Sequence, residues 1–320
     1  MNIRSISYDD ARGELSVAAD DAHGACPCAP ETARRAIELA TTADLTGADP
    51  LRREQLWQRL TGAAAFEPAA AALDIALWDL AGRVHGLPVF RVIGGFRTNM
   101  PVLHIGAPTH DPDAALAQAR AAIAAGARAF CDRFIGPPAR VASLAARMRA
   151  AVGDDVFLMH DGQRRYDRRQ ALAVGRALTA HEYHWFRAPL AAGDAEGTRR
   201  LAAALDVPIL DGVGGSAALR AMAGLAATQA ADLLAVHVRT CGGITGALKL
   251  ARMAEAFGLH CEFEPDEHAH QLDRRADALA RAHLMAAVRN AQFYAVVDDE
   301  PPPLVDGAVS VPTAPGMGWE

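Results

Sequence analysis

The chain of 320 residues contains no stretch approaching the roughly 18 uninterrupted apolar residues of a membrane span. Its start, Met1-Asn2-Ile3-Arg4-Ser5-Ile6-Ser7, has no apolar segment of the kind that directs secretion, so the chain reads as cytoplasmic. Basic charge is also scarce. With 32 Lys and Arg against 38 Asp and Glu, the net charge of -6 leaves no excess to neutralise phosphates, which argues against a nucleic-acid partner. The five cysteines are an odd number, and only Cys26 and Cys28 lie close together, separated by Pro27. That pattern does not suggest a disulfide framework, and reduced, structural thiols are expected. A zinc or redox role for the Cys-Pro-Cys step would need further ligands at suitable spacing, and none stands out. There is no glycine fingerprint for a dinucleotide either.

What is present is apolar material: 51% of the residues are hydrophobic, enough for one large domain and a smaller one. The first ninety residues do not alternate regularly. Two short extended pieces around Asp10-Ala11-Arg12-Gly13 predict a hairpin, and helices are expected over 30–43, 50–61 and 68–84. The last of these is apolar on most of its circumference and is expected to be buried between two domains. From Met100 onward a strand, loop and helix recur every 25 to 30 residues or so. Strands are expected at 102–105, 127–134, 156–161, 183–187, 208–211, 233–238, 259–263 and 292–296. Eight parallel strands favour an α/β fold of the (β/α)8 or TIM-barrel type over an open sheet. The apolar run 156–160 ends in Asp161-Gly162-Gln163, which places Asp161 at a carboxyl strand end, where such barrels keep their chemistry.

Several stretches together resemble the enolase superfamily, in its mandelate racemase and muconate lactonizing enzyme branch. They are Ala72-Leu73-Asp74-Ile75-Ala76-Leu77-Trp78-Asp79-Leu80-Ala81-Gly82 with Gly86-Leu87-Pro88, Ile93-Gly94-Gly95, and Val152-Gly153-Asp154-Asp155 leading to Asp161. Trp185-Phe186-Arg187-Ala188-Pro189, Cys241-Gly242-Gly243-Ile244-Thr245-Gly246 and Ala314-Pro315-Gly316-Met317-Gly318 complete the set. The resemblance implies a modified barrel over 98–296, capped by an α+β domain over 1–97 that the tail, 297–320, completes. The cap looks shortened, because the hairpin begins almost at Met1 and little chain is left for a loop that closes over substrate.

Members of this branch hold Mg²⁺ with three carboxylates at the ends of the third, fourth and fifth barrel strands. The dication stabilises an enediolate formed when a base removes the proton beside a substrate carboxylate. Carried over by position, Asp161 matches the first ligand, with Gln163 where asparagine is usual, but the second is Arg187 and the third is Val213. One carboxylate and a guanidinium predict that Mg²⁺ is not bound, and no other cofactor is expected. On the second strand the lysine pair becomes Cys131-Asp132-Arg133, with Arg133 in the second place; a one-residue shift would instead present Asp132 and Phe134. His237 stands on the sixth strand where racemases carry aspartate, Glu264 on the seventh where histidine is usual, and Ala295 on the eighth in place of glutamate.

His237 and Arg133 are therefore the expected catalytic residues, with Arg187, Asp161 and Glu264 binding substrate. Arg187 and Asp161 are also expected to form an ion pair filling the vacated metal site. His160 is expected to face away from Asp161 on the strand pleat. The acidic run 262–270 reads as a solvated loop, with a relocated metal site at Glu264, His268 or His270 as the other possibility. The resulting expectation is a metal-independent isomerase or lyase of racemase or dehydratase type, acting on a small carboxylate metabolite and assembling as a homo-oligomer. Two other readings stand beside it: a non-catalytic protein that keeps the fold for binding or assembly, and an ordinary Mg²⁺-dependent racemase or dehydratase.

Overall fold

Leu15, Val17 and Ala19 are buried while Glu14, Ser16 and Ala18 are not, the alternation of a strand with one dry face, and in a computed structural model they form β2 (Glu14–Ala19). The structure describes residues 1–20, 22–63, 66–212, 218–267, 269–297 and 307–319. β2 pairs antiparallel with β1 (Ile3–Asp9) on one side and with β3 (Ala22–Pro27) on the other. The expected hairpin is thus a three-stranded sheet. β3 lacks β-branched residues, and its Gly24 answers to packing: a Cβ there would lie 2.1 Å from the carbonyl oxygen of Ala76.

Four helices follow, α1 (Pro30–Thr42), α2 (Arg53–Ala63), α3 (Pro68–His85) and the short α4 (Val89–Ile93). α2 begins three residues after the expected Pro50. α3 is buried from Ala69 to Gly82, as its apolar circumference requires, and stops at Gly86 in the left-handed conformation (φ 63°).

The rest alternates strand and helix: β4 (Asn99–Ile105), α5 (Pro112–Ala124), β5 (Ala129–Asp132), α6 (Pro138–Val152), β6 (Phe157–Asp161), α7 (Arg168–Ala180), β7 (Trp185–Arg187) and α8 (Ala195–Ala202). It continues with β8 (Ile209–Asp211), α9 (Ala218–Ala227), β9 (Leu233–Val236), α10 (Ile244–Ala256), β10 (His260–Phe263), α11 (Gln271–Ala287), β11 (Tyr294–Val297) and β12 (Ala308–Ser310). The eight strands β4 to β11 are parallel and lie in the order β10-β9-β8-β7-β6-β5-β4-β11, a nearly closed barrel. Across the gap the Cys261 amide donates to the Asn290 carbonyl at 2.8 Å. Inward side chains including Leu103, Cys131, Met159, Trp185 and Leu210 fill the interior, so the barrel is a packed core and only its rim is available for chemistry.

Two buried aspartates of α3 explain why its sequence pattern is so particular. Asp79 accepts from the Ala25 amide at 2.9 Å, the Met317 amide at 2.7 Å and Arg83 at 2.8 Å, joining the small sheet, the helix and the tail. One turn earlier Asp74 accepts from the Thr245 amide (2.9 Å) and hydroxyl (2.6 Å) at the start of α10, and Trp78 donates to the same hydroxyl at 2.9 Å. The cap is therefore fastened to the barrel by hydrogen bonds that burial makes costly to lose. The tail returns as expected: β12 pairs with β4, Gly316 lies beside Pro88, and Trp319 donates to the Ala25 carbonyl at 3.0 Å. All five cysteines are buried and unpaired. Among the described residues no helix is long and apolar enough to cross a membrane.

Candidate active site at the barrel mouth

β6 ends in Asp161 and β7 in Arg187, and the parallel register sets these two residues side by side. The Arg187 Nη1 donates to Asp161 Oδ2 at 2.6 Å, forming the expected ion pair. Arg187 is also held from the other side, where its Nε and Nη2 grip both oxygens of Glu264. Glu264 follows β10 directly, and its amide donates to the Val236 carbonyl at 3.0 Å, which fixes it next to the residue after β9, His237. His237 Nε2 lies 3.0 Å from Glu264 Oε2. One hydrogen-bonded chain, Asp161–Arg187–Glu264–His237, thus crosses the barrel mouth.

Burial divides this chain into two nearly buried carboxylates and two partly exposed partners. The side chains of Asp161 and Glu264 are 4% and 6% exposed, those of Arg187 and His237 27% and 30%. Burial alone raises the pKa of Glu264, but Arg187 and His237 outweigh it and hold the carboxyl well below the usual range. Burial likewise works against charge on His237, yet the hydrogen bond and charge of Glu264 prevail and its pKa is raised. Arg187, despite its burial, is held charged by Glu264 and Asp161.

Arg133 follows β5 and lies at the same rim. Its Nη1 donates to both oxygens of Glu267, at 2.8 and 2.7 Å, and its Nε to the Gly106 carbonyl. The barrel interior receives Cys131, while Asp132 points outward to His160, so the pairing that puts Arg133 in the second lysine place matches the pleat and the shifted one does not. His160 does face away from Asp161: its Nδ1 is 2.8 Å from Asp132 and its Nε2 3.0 Å from the Tyr166 hydroxyl. The solvated-loop expectation for 262–270 needs correction. Glu262 and Glu264 are buried, Asp266 pairs with Arg239 at 3.0 Å and Glu267 pairs with Arg133. His270 caps α11, its Nδ1 accepting from the Leu272 amide, while His268 and Val213 lie outside the described residues.

Sequence reasoning missed several residues of this rim. Arg164 donates to Asp211 at 2.8 Å and to the Gly212 carbonyl, next to the position read as the third ligand. Gln163 and Arg164 are both left-handed (φ 51° and 59°), which suits the asparagine usual at the first of them. Gln163 nonetheless fills both of its tasks, its amide capping Asp161 Oδ1 at 2.8 Å and its side chain reaching the Arg133 carbonyl at 3.1 Å. The Asp-Gly-Gln-Arg sequence after a strand was the available signal.

Comparison with known proteins agrees with this architecture. Residues 16–94 match the mandelate racemase and muconate lactonizing enzyme N-terminal domain, and residues 114–320 match the enolase C-terminal domain-like family. The N-succinyl-L-Arg/Lys racemase of Bacillus cereus is 26% identical over 237 residues, covering 72% of this chain and 63% of its own length, so this chain spans under two thirds of that relative. A hydrophobic dipeptide epimerase of Enterococcus faecalis is 28% identical over 284 residues, covering 87% of this chain and 78% of its own. The crystal structure of D-glucarate dehydratase from Agrobacterium tumefaciens, complexed with magnesium, superposes with a TM-score of 0.81 at 27% identity, over 99% of this chain and 93% of that one. The chain belongs to the mandelate racemase and muconate lactonizing enzyme branch of the enolase superfamily.

Proposed function

We propose that this protein is an isomerase or lyase, of racemase or dehydratase type, that acts on a small carboxylate without a dication at Asp161. The observation that carries the reading is the continuous chain Asp161–Arg187–Glu264–His237 across the barrel mouth, in which Arg187 and His237 keep part of their side-chain surface open to solvent. The donor set there does not fit Mg²⁺. Asp161 is occupied by Arg187 and the Gln163 amide, both oxygens of Glu264 are taken by Arg187, and a guanidinium touching both carboxylates opposes a second cation.

Arg187 is suited to the substrate anion. A guanidinium carries five N–H groups, and single hydrogen bonds from Nε, Nη1 and Nη2 to the two carboxylates leave two of them for a substrate carboxylate. His237, aligned by Glu264, takes the proton from the carbon beside that carboxylate as the electron pair moves into an enediolate. The guanidinium hydrogen-bonds the charge as it develops. Delivery of a proton to the opposite face of that carbon gives racemisation; transfer of the abstracted proton from His237 to a β-hydroxyl, which leaves as water, gives dehydration.

The test is proton exchange in D2O, followed by NMR, on sugar acids, N-acylamino acids and dipeptides with EDTA-treated protein. Exchange in EDTA that disappears in His237→Ala supports the reading, and exchange that needs stoichiometric Mg²⁺ sinks it in favour of the ordinary metal-dependent enzyme, which the magnesium-bound D-glucarate dehydratase favours. A non-catalytic role is favoured by one observation, that Arg187 and Arg133 are both already paired with internal carboxylates. Absence of exchange across all three substrate classes, with and without Mg²⁺, would decide for it.

A further inference from the structure

Along the seam between cap and barrel lies an open-sided cavity of about 580 Å³ on the outside of the barrel, between α2, α3, α4 and α10. Its polar wall is cationic, formed by Arg52, Arg53 and Arg252. The Arg53 guanidinium lies 4.0 Å above the ring of Trp78, which is itself 6% exposed. Its Nε is buried without a hydrogen bond, and neither Arg53 nor Arg252 is ion-paired to a described residue. The one carboxylate among the lining residues, Glu54, is taken by Lys249 at 2.5 Å. Behind the wall, Asp74 faces Arg53, but burial pushes its carboxyl up to about 7 and both its oxygens are engaged by Thr245.

A guanidinium N–H that is buried normally has an acceptor, since leaving it desolvated and unbonded costs free energy. Arg53 is stacked on Trp78, and its buried Nε has no acceptor among the described residues. The lining also carries apolar side chains, among them Leu51, Ile93 and Leu248. We propose that this cavity is a second binding site, separate from the barrel mouth, for a small organic oxyanion. Its carboxylate or phosphate sits on Arg53 and Arg252 and its carbon skeleton on the apolar side chains. The site stands independently of the function proposed for the mouth.

Isothermal titration with phenyl phosphate and with inorganic phosphate, in EDTA, tests it on the wild-type protein, R53Q, R252Q and H237Q. Phenyl phosphate is expected to bind once per chain, at least tenfold more weakly to R53Q and R252Q, and equally to H237Q. Inorganic phosphate is expected to bind at least fivefold more weakly than phenyl phosphate. Absence of binding to wild type, equal affinity in R53Q and R252Q, or loss of binding in H237Q alone overturns the proposal; equal affinity for the two phosphates overturns its apolar half. Arg252 is exposed, so R252Q carries the test if R53Q does not fold.

Discussion

Replacing Arg187 by methionine removes the cation from the middle of the mouth while keeping side-chain volume. It strands Asp161 and Glu264, 4% and 6% exposed, at 2.6 Å and closer to where the charge was. Glu264 keeps His237 as a partner, and Asp161 keeps only the Gln163 amide, so Asp161 bears most of the loss. Breaking a buried pair by removing one partner costs about 3–5 kcal/mol, because the remaining charge stays desolvated. For a chain of this size that corresponds to a fall in Tm of roughly 4–8 °C. The sign of the pH dependence follows from Glu264, whose folded pKa is depressed. Its stabilisation is complete above the unfolded carboxyl value of about 4.3 and is lost as pH falls through the folded value. Melting curves of wild type and Arg187→Met should therefore differ most above about pH 5 and converge in stronger acid. A variant that melts within 2 °C or so of wild type at pH 7.5 would refute the claim that Arg187 neutralises this pair.

Three further outcomes are expected. Glu262 is buried with no side-chain partner, and burial, opposed only by weak contacts from the Phe293 and Gln292 backbone, pushes it up to about 8. Folding therefore takes up a proton, and stability should fall by about 4–5 kcal/mol between pH 4.5 and pH 8 or so, a slope that Glu262→Gln removes in chemical denaturation. His237 has a raised folded pKa, so its pairing stabilises fully below about pH 6.5 and is lost as pH rises through the folded value. A pH titration by NMR of the His237 ring should show its midpoint above that of an exposed histidine, and Glu264→Gln should bring it down; an unmoved midpoint counts against the dyad. Asp79→Ala orphans the buried Ala25 and Met317 amides, at about 1–3 kcal/mol each, and should make the tail cleavable by protease in conditions where wild type resists.

How much of this was legible beforehand depended on whether a feature is local. The eight strands announce themselves as short apolar runs ended by polar residues, and the polarity change at Asp161 marks a strand end without any knowledge of neighbours. α3 is apolar all round because it is covered all round. β3 was missed because Ala22–Pro27 has no strand-forming residues of its own; it is held by β2 and by the space Gly24 leaves for α3. The acidic run after β10 was misread for the same reason. Glu264, Asp266 and Glu267 look like a solvated cluster until Arg187, Arg239 and Arg133 are brought from 77, 27 and 134 residues away. No periodicity encodes such partners.

Under the proposed function, the charge balance at the mouth accounts for Arg187 and Glu264 together. A dication held by three carboxylates leaves one net negative charge, and one guanidinium held by two carboxylates leaves the same. Arg187 in the second ligand place needs only Asp161 and one other acid, and Glu264 supplies it from the seventh strand. A histidine in the Glu264 place could not do so. With the acid on the seventh strand, the proton-transferring imidazole of the proposed function falls to the sixth, where His237 stands 3.0 Å from it. Under the proposed function, then, the loss of the metal ligand and the exchange of acid and histidine between two strands are one change. It follows that restoring glutamate at Arg187 alone should leave a surplus of buried negative charge. Restoring histidine at Glu264 alone should leave Arg187 facing an imidazole, so each single reversion should destabilise the fold more than the double variant does. Additive losses in that double-mutant cycle would show that the two positions changed independently.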